Sequence, residues 1–391
     1  RYLEDVARAN KLICNIDLVT DNSLTTAERA QYKAEAKIFR AMVMFDMVRL
    51  WGDFPVITTV ADDITSENID EVYPQYFPKQ NTELEAYQQI EKDLLDAVLY
   101  APDNTPGNKT LFSKSVARTL LAKIYAEKPL RDYTKVIQYC DEVKADGFDL
   151  VDDFSDLFGM NAAGTDAKMR NTKESILEAQ FTSGAGNWCT WMFGRDLVNW
   201  NNNFTWAKWV TPSRDLISAF KQEGDEVRFK ESIVYYDCNW SNYYPSDNYP
   251  FMYKCRSANS SIIKYRYADV LLLKAEALIM QDTPDLEGAA DIIDEVRDRA
   301  KLGALPTSVR SNKNVLLNAL LKERRLELAF EGQRWFDLVR LDKVEEVMNA
   351  VYSKDSGRKA QIYTFDKNSY RLPIPQSVID ANDKIHQNPG Y

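Results

Sequence analysis

Residues 33 to 50, KAEAKIFRAMVMFDMVRL, place apolar side chains on two opposite stripes of one helix, and this restricts the fold more than any other stretch. Ala34, Ile38, Ala41, Phe45 and Val48 fall on one stripe, and Ala36, Phe39, Val43, Met47 and Leu50 on the other. Lys33, Lys37 and Arg40 separate the stripes along one side, and Glu35, Asp46 and Arg49 along the other. A helix that is apolar on two sides has to be sandwiched between neighbours, as in a helical solenoid. WGDFP at 51 to 55 then ends it, because glycine takes up a left-handed cap and proline cannot continue the hydrogen-bond ladder.

The last six residues of that helix, FDMVRL at 45 to 50, recur as FDLVRL at 336 to 341. Asp46 with Arg49 and Asp337 with Arg340 are then spaced one turn apart, as exposed ion pairs on packed helices are. A packing solution used twice is the simpler interpretation than two halves of a catalytic site. Other helices come in pairs. Thr82 and Glu85 form a capping box for ELEAYQQIEKDLLDAVLY, and residues 115 to 127 and 132 to 145 form a helical hairpin. LLAKIYAE at 120 to 127 aligns with LLLKAEAL at 271 to 278, and YTKVIQYCDEV at 133 to 143 with LEGAADIIDEV at 286 to 296. The second hairpin is expected to have Thr283 as the cap of its second helix and Pro284 at the first helical position. The unit length resembles the tetratricopeptide repeat of about 34 residues.

Composition removes several functions. A net charge of −10 disfavours a nucleic-acid partner. The one histidine, His386, leaves no material for most zinc sites or for Ser-His and Cys-His nucleophile systems. The five cysteines contain no CxxC pair, so neither a metal cluster nor a dense disulfide framework is expected. Cys238 and Cys255 flank a tyrosine-rich loop or hairpin, where a disulfide is conceivable but unpaired thiols are the simpler expectation. No apolar run approaches the roughly 18 residues of a membrane helix. RYLEDVARANKLICNI reads as a helix already under way, so the chain is expected to begin inside a longer protein.

Four longer strings carry a family resemblance: AEAKIFRAMVMFDMVRLWGDFPVIT at 34 to 58, RYADVLLLKAEAL at 266 to 278, KERRLELAFEGQRWFDLVRLDK at 322 to 343 and RLPIPQSVIDANDKIHQNPGY at 371 to 391. In order and spacing they resemble the SusD/RagB family, residues 181 to 254 matching least. The resemblance implies a mainly α protein in which tetratricopeptide-like helix pairs form an α/α superhelix. It implies a surface lipoprotein of the outer membrane that captures a glycan for a SusC-like TonB-dependent transporter and does not cleave it. The lipid anchor of such a protein would lie upstream of residue 1. No cofactor or metal is implied. A peptide- or protein-binding scaffold of the RagB kind is the alternative. The expected layout is a helical-repeat part at 1 to 180, an aromatic-rich insertion at 181 to 254, a second helical part at 255 to 350 and an irregular tail at 351 to 391, all in one domain.

Trp188, Trp191, Trp200, Trp206, Trp209 and Trp240, six of the eight tryptophans, fall in the part that departs most from the repeat. Sugar C–H groups pack on aromatic faces and sugar hydroxyls need planar polar partners, so tryptophan interleaved with asparagine suits a glycan platform. Trp188, Trp191, Trp200, Asn202, Trp206, Trp240 and Tyr243 are therefore the expected ligand-binding residues, with filling of the core as the competing role for each tryptophan. Trp51 and Trp335 lie within the repeated motifs and are expected to be structural. No two of the 59 acidic residues stand out by spacing as a tuned glycosidase pair.

Overall fold

The computed structural model describes residues 1–182, 186–187, 211–238, 243–354 and 364–391 and is mostly helical. The described residues gather into two compact units. The first holds Arg1–Asn104, Leu111–Tyr139 and Phe365–Tyr391; the second holds Thr105–Thr110 and Cys140–Thr364. No helix among the described residues is long and apolar enough to cross a membrane.

In the first unit, α1 (Tyr2–Asn15) and α3 (Glu83–Tyr100) pack on α2 (Thr26–Trp51). The two-sided helix is thus sandwiched as its stripes require. Ala34, Ile38, Ala41, Phe45 and Val48 are at most 1% exposed, whereas the opposite stripe is buried at Val43 and Met47 and only partly covered at Ala36, Phe39 and Leu50. A capping box of Thr25 with Glu28 starts α2 earlier than the apolar pattern alone suggested. The expected box of Thr82 with Glu85 starts α3. Gly52 ends α2 at φ 73°, in the region that disfavours a Cβ, beside the Arg371 side chain.

Arg40, on the line that separates the two stripes, does more than divide them. It is buried and grips Asp93 of α3 with two bonds of 2.7 Å, while its third nitrogen donates to the Asn10 Oδ1 of α1 at 2.6 Å. One guanidinium therefore ties three helices.

The matched pairs are both helical: α4 (Lys114–Ala126) and α5 (Tyr133–Ala145), then α8 (Tyr267–Met280) and α9 (Leu286–Arg299). The start of α9 corrects the sequence expectation. Its cap is Asp285, whose carboxylate accepts from the Gly288 N–H at 2.9 Å, so Thr283 and Pro284 lie ahead of the helix. Aspartate competes as well as threonine for this role, and no local pattern decided between them.

Between these pairs, within the second unit, lie α6 (Arg214–Glu223), α7 (Glu226–Ser232) and two small antiparallel sheets. β1 (Ser175–Ala179) pairs with β4 (Ile262–Arg266), and β2 (Ile233–Tyr236) with β3 (Tyr249–Met252). The unit continues through α10 (Lys313–Glu327), α11 (Arg334–Arg340) and α12 (Val344–Lys354).

The second hexapeptide lies in α11 and its charges are not exposed, contrary to the sequence expectation. Asp337 and Arg340 are 2% and 5% exposed. Arg324 of α10 clamps Asp337 with two bonds of 2.9 Å and reaches Asp269 of α8 at 2.8 Å. Arg340 clamps Glu276 of α8 at 2.9 and 2.6 Å. In the first copy Arg49 is buried too, over the Phe45 ring at 3.9 Å, and pairs with the partly buried Asp46 at 2.5 Å. Spacing within one helix revealed the i, i+3 pair, but not the partners that other helices bring.

Candidate ligand-binding surface

The β2–β3 hairpin has two faces, because successive side chains of a strand point to opposite sides. Ile233 and Tyr235 pack with Phe220, Phe229 and Leu326 in the interior of the second unit. Val234 and Tyr236, with Tyr249 and Phe251 opposite them in register, face the other way. There they meet Cys238, Tyr243, Tyr244 and Tyr253 in an aromatic cluster.

Tyr243 is the only expected ligand residue within the described part; Trp188, Trp191, Trp200, Asn202, Trp206 and Trp240 lie outside the described residues. Tyr243 is half-buried and meets Tyr244 edge-on at 5.0 Å; Tyr244 meets Tyr249 at 5.6 Å. The Arg214 guanidinium sits 4.1 Å from the Tyr243 ring centre and 4.5 Å from that of Tyr244, and donates to the Tyr243 carbonyl. Arg214 opens α6, where the helix dipole disfavours a cation, so its place is set by these rings rather than by helix preference. The Tyr244 hydroxyl donates to the Pro212 carbonyl at 2.7 Å, and the hydroxyls of Thr211 and Tyr249 are 3.2 Å apart. Upstream, Asn187 is buried and donates to the Ser260 carbonyl at 3.1 Å. Both residues that border the stretch 188–210 are therefore fixed to the second unit.

Burial raises the phenol pKa values of Tyr235 and Tyr236, which remain hydrogen-bond donors at neutral pH. Beside them the Arg256 guanidinium lies 3.6 Å from the Tyr253 ring centre. Arg256 is buried and bonded to Glu231, so it belongs to the base of the cluster; the partly exposed Tyr236, Tyr243, Tyr244 and Arg214 combine aromatic faces with a planar cation, which suits a polyhydroxylated ligand. No disulfide joins Cys238 to Cys255, so the conceivable link between them is not made.

The first unit carries another aromatic surface that the sequence analysis passed over. Tyr73 and Tyr76 are 53% and 50% exposed on a 3-10 turn, with Ile69 also exposed and Phe77 tilted against Tyr73 at 5.0 Å. The signal was present in YPQYF, but the stretch is too short for periodicity to mark it.

A dense ion cluster underlies the second unit. Glu327 accepts from Arg266 at 2.5 Å, from Arg228 at 3.1 Å and from Arg299. Glu331 accepts from Arg266 at 2.7 and 2.8 Å and from Lys254 at 2.6 Å. Glu174 bridges Arg266 and Arg299 at 2.7 and 2.6 Å. Burial raises the Glu327 carboxyl, but Arg299, Arg266 and Arg228 together outweigh it and hold the group well below the usual carboxylate range. These carboxylates are sequestered and fully engaged, so none of them is placed to act on a bound substrate as an acid or base. Their work is to join the hairpin's neighbours, α7, β4, α9 and α10, into one base.

Lys254 leaves β3 and enters this cluster. Burial lowers its pKa to about 8, against the pull of Glu331. The folded value lies below the unfolded one of about 10.4, so between these pH values the unfolded chain holds the proton that the folded chain has released. Stability from this group therefore rises with pH over that window. Melting curves of Lys254→Met should lack that rise; an unchanged slope between pH 8 and 10 would show that Lys254 keeps its proton.

A family model described as SusD family matches residues 249–391, and one described as starch-binding associating with outer membrane matches residues 1–126. The chain is 28% identical to SusD-like protein P2 of Formosa agariphila, over 99% of this chain and 78% of that protein. It is 24% identical to the starch-binding protein SusD of Bacteroides thetaiotaomicron, over 96% of this chain and 76% of that protein. Among solved structures, a laminarin binding SusD-like protein matches with a TM-score of 0.73 and 24% identity, covering 100% of this chain and 84% of its own. Surface glycan-binding protein A of Bacteroides thetaiotaomicron, in complex with laminarihexaose, matches with a TM-score of 0.76 and 20% identity, covering 99% and 84%. These likenesses establish the fold.

Proposed function

Because the chain belongs to the SusD/RagB family, we propose that it is a non-catalytic glycan-binding protein of the bacterial cell surface. In this reading it is a lipoprotein of the outer membrane. It captures an oligosaccharide or polysaccharide and delivers it to a SusC-like TonB-dependent transporter. The observation that carries the reading is the aromatic cluster on the second face of the β2–β3 hairpin, where the partly exposed Tyr243 and Tyr244 are bracketed by Arg214 above the buried Tyr249 and Phe251. Asn187 and Thr211, which border the tryptophan-bearing stretch in the sequence, are both held by this unit, and Trp188, Trp191, Trp200, Asn202, Trp206 and Trp240 are the further residues of the proposed site. The names of the relatives that bind starch or laminarin support the class of ligand without specifying which glycan this chain takes.

A receptor that hands its ligand on needs only modest affinity, on the order of micromolar to millimolar. Alanine variants at Trp188, Trp191, Trp200, Trp206, Trp240 and Tyr243 should be titrated with a panel of polysaccharides and melted in parallel. Loss of a stacking ring should weaken binding about tenfold while melting stays unchanged. A core tryptophan would instead lower the melting temperature. If every normally folded variant binds like the parent, the site is elsewhere, and steady release of reducing ends by clean protein would overturn the non-catalytic reading.

A further inference from the structure

The ridge of Lys33 and Lys37 that separates the stripes of α2 has no part in the aromatic surfaces, yet it lines a groove of about 320 Å³ in the first unit. That volume is within the range of small-ligand sites, roughly 300 to 1,000 Å³. Arg29, Lys33 and Lys37 follow one another at four-residue spacing along α2, a row about 12 Å long on one helix face. Asp17 after α1, Asp96 on α3 and the exposed Tyr100 at the end of α3 complete the wall. Three cations thus face two carboxylates, in a chain whose net charge is −10.

We propose that this groove is a binding site for an anionic sugar residue, one carrying a carboxylate or a sulfate ester, with its ring against Tyr100. The two aspartates position the cations more than they satisfy them. Asp96 holds the Lys37 ammonium at 2.5 Å and Asp17 holds that of Lys33, but each ammonium has three donors. Arg29 is fixed by the carbonyls of Ile16, Leu24 and Asp21 at 2.6, 3.1 and 3.1 Å, which fixes the end of the row. Three otherwise flexible side chains are therefore held in place before a ligand arrives, which reduces the ordering cost of binding. Tyr100 is 53% exposed and supplies the flat apolar face that a bare anion would not need.

The proposal rests on the glycan-binding reading for the class of ligand, and the test keeps the two apart. Trigalacturonate, its fully methyl-esterified neutral form, a sulfated galactotriose and inorganic sulfate would be titrated into the full chain, into the Lys33→Met/Lys37→Met double variant and into Tyr100→Ala. The parent should bind an acid form at low salt and the ester at least tenfold more weakly; about 0.3 M salt should weaken the acid complex. The double variant should lose about tenfold for the acid, and Tyr100→Ala should weaken the saccharides but not inorganic sulfate. The uronate and sulfate arms distinguish the two sources of charge. Equal affinity of acid and ester, an unchanged double variant, or no binding of either acid overturns the proposal; loss confined to inorganic sulfate reduces the groove to an ion site and overturns the saccharide. Acid binding here, with no neutral polysaccharide bound at the aromatic surface, would instead count against the reading of that surface alone. Both lysines are partly exposed, so melting of the double variant checks that the fold is intact.

Discussion

Replacement of Glu327 by glutamine is expected to cost about 3 to 5 kcal/mol and to lower the melting temperature on the order of 10 °C. The carboxylate is 0% exposed and stands between Arg228, Arg266 and Arg299. Glutamine keeps the shape but removes the charge, and turns an N–H₂ toward guanidinium donors. Each arginine then loses an anionic partner where water cannot replace it. Glu331 and Glu174 remain to balance Arg266, so the loss stays below the full cost of an isolated buried cation. Arg310→Ala is the control. That arginine binds Glu287, Asp291 and Asp294, the first two with side chains 72% and 67% exposed, and its loss should cost less than about 1 kcal/mol. If chemical denaturation gives similar values for the two variants, the interior cluster is not what holds the second unit together.

The first unit has its own counterpart. Asp93→Ala is expected to cost about 3 to 5 kcal/mol, because Arg40, 3% exposed, keeps only neutral partners, the Asn10 side chain and the Thr58 carbonyl. An apolar replacement of both partners, Arg40→Met with Asp93→Leu, should recover much of that loss, since no charge is then left behind. A double variant as unstable as Asp93→Ala would mean that Arg40 matters through the three helices it joins rather than through its charge. Alanine at Asp96 provides a comparison on the same helix, as its pair with Lys37 is partly solvated and worth far less.

The helices were legible because their information is local. The capping box of Thr82 with Glu85, the two-sided pattern of α2 and the pattern of each aligned hairpin are all short-range signals, and the structure places helices at each. Strands β1 and β4 were not, because they pair across some ninety residues and neither alternates clearly enough to be seen alone. The same limit concealed the buried charges. KERRLELAFEGQRWFDLVRLDK was recognisable as a family string, but its Glu323, Arg324, Glu327, Glu331, Asp337 and Arg340 look like an ordinary solvated ridge until the structure brings Arg228, Arg266, Arg299 and Asp269 to meet them. The candidate site was legible as composition only: crowding of tryptophan marks a region, while the role of Arg214 depends on a turn of chain about thirty residues away.

The alternation of the β2–β3 hairpin separates two kinds of selection. Ile233 and Tyr235 answer to the interior and are constrained by what Phe220 and Leu326 leave unfilled. On the other face the partly exposed Val234 and Tyr236 answer to whatever meets the aromatic cluster, while Phe251 and Tyr249 opposite them are buried and form its base. A substitution at the partly exposed Tyr236 or Tyr243 can therefore change recognition, whereas one at Tyr249 or Phe251 also disturbs the packing on which the unit folds, so one scaffold can be retuned from ligand to ligand only by drift at the rim of the cluster.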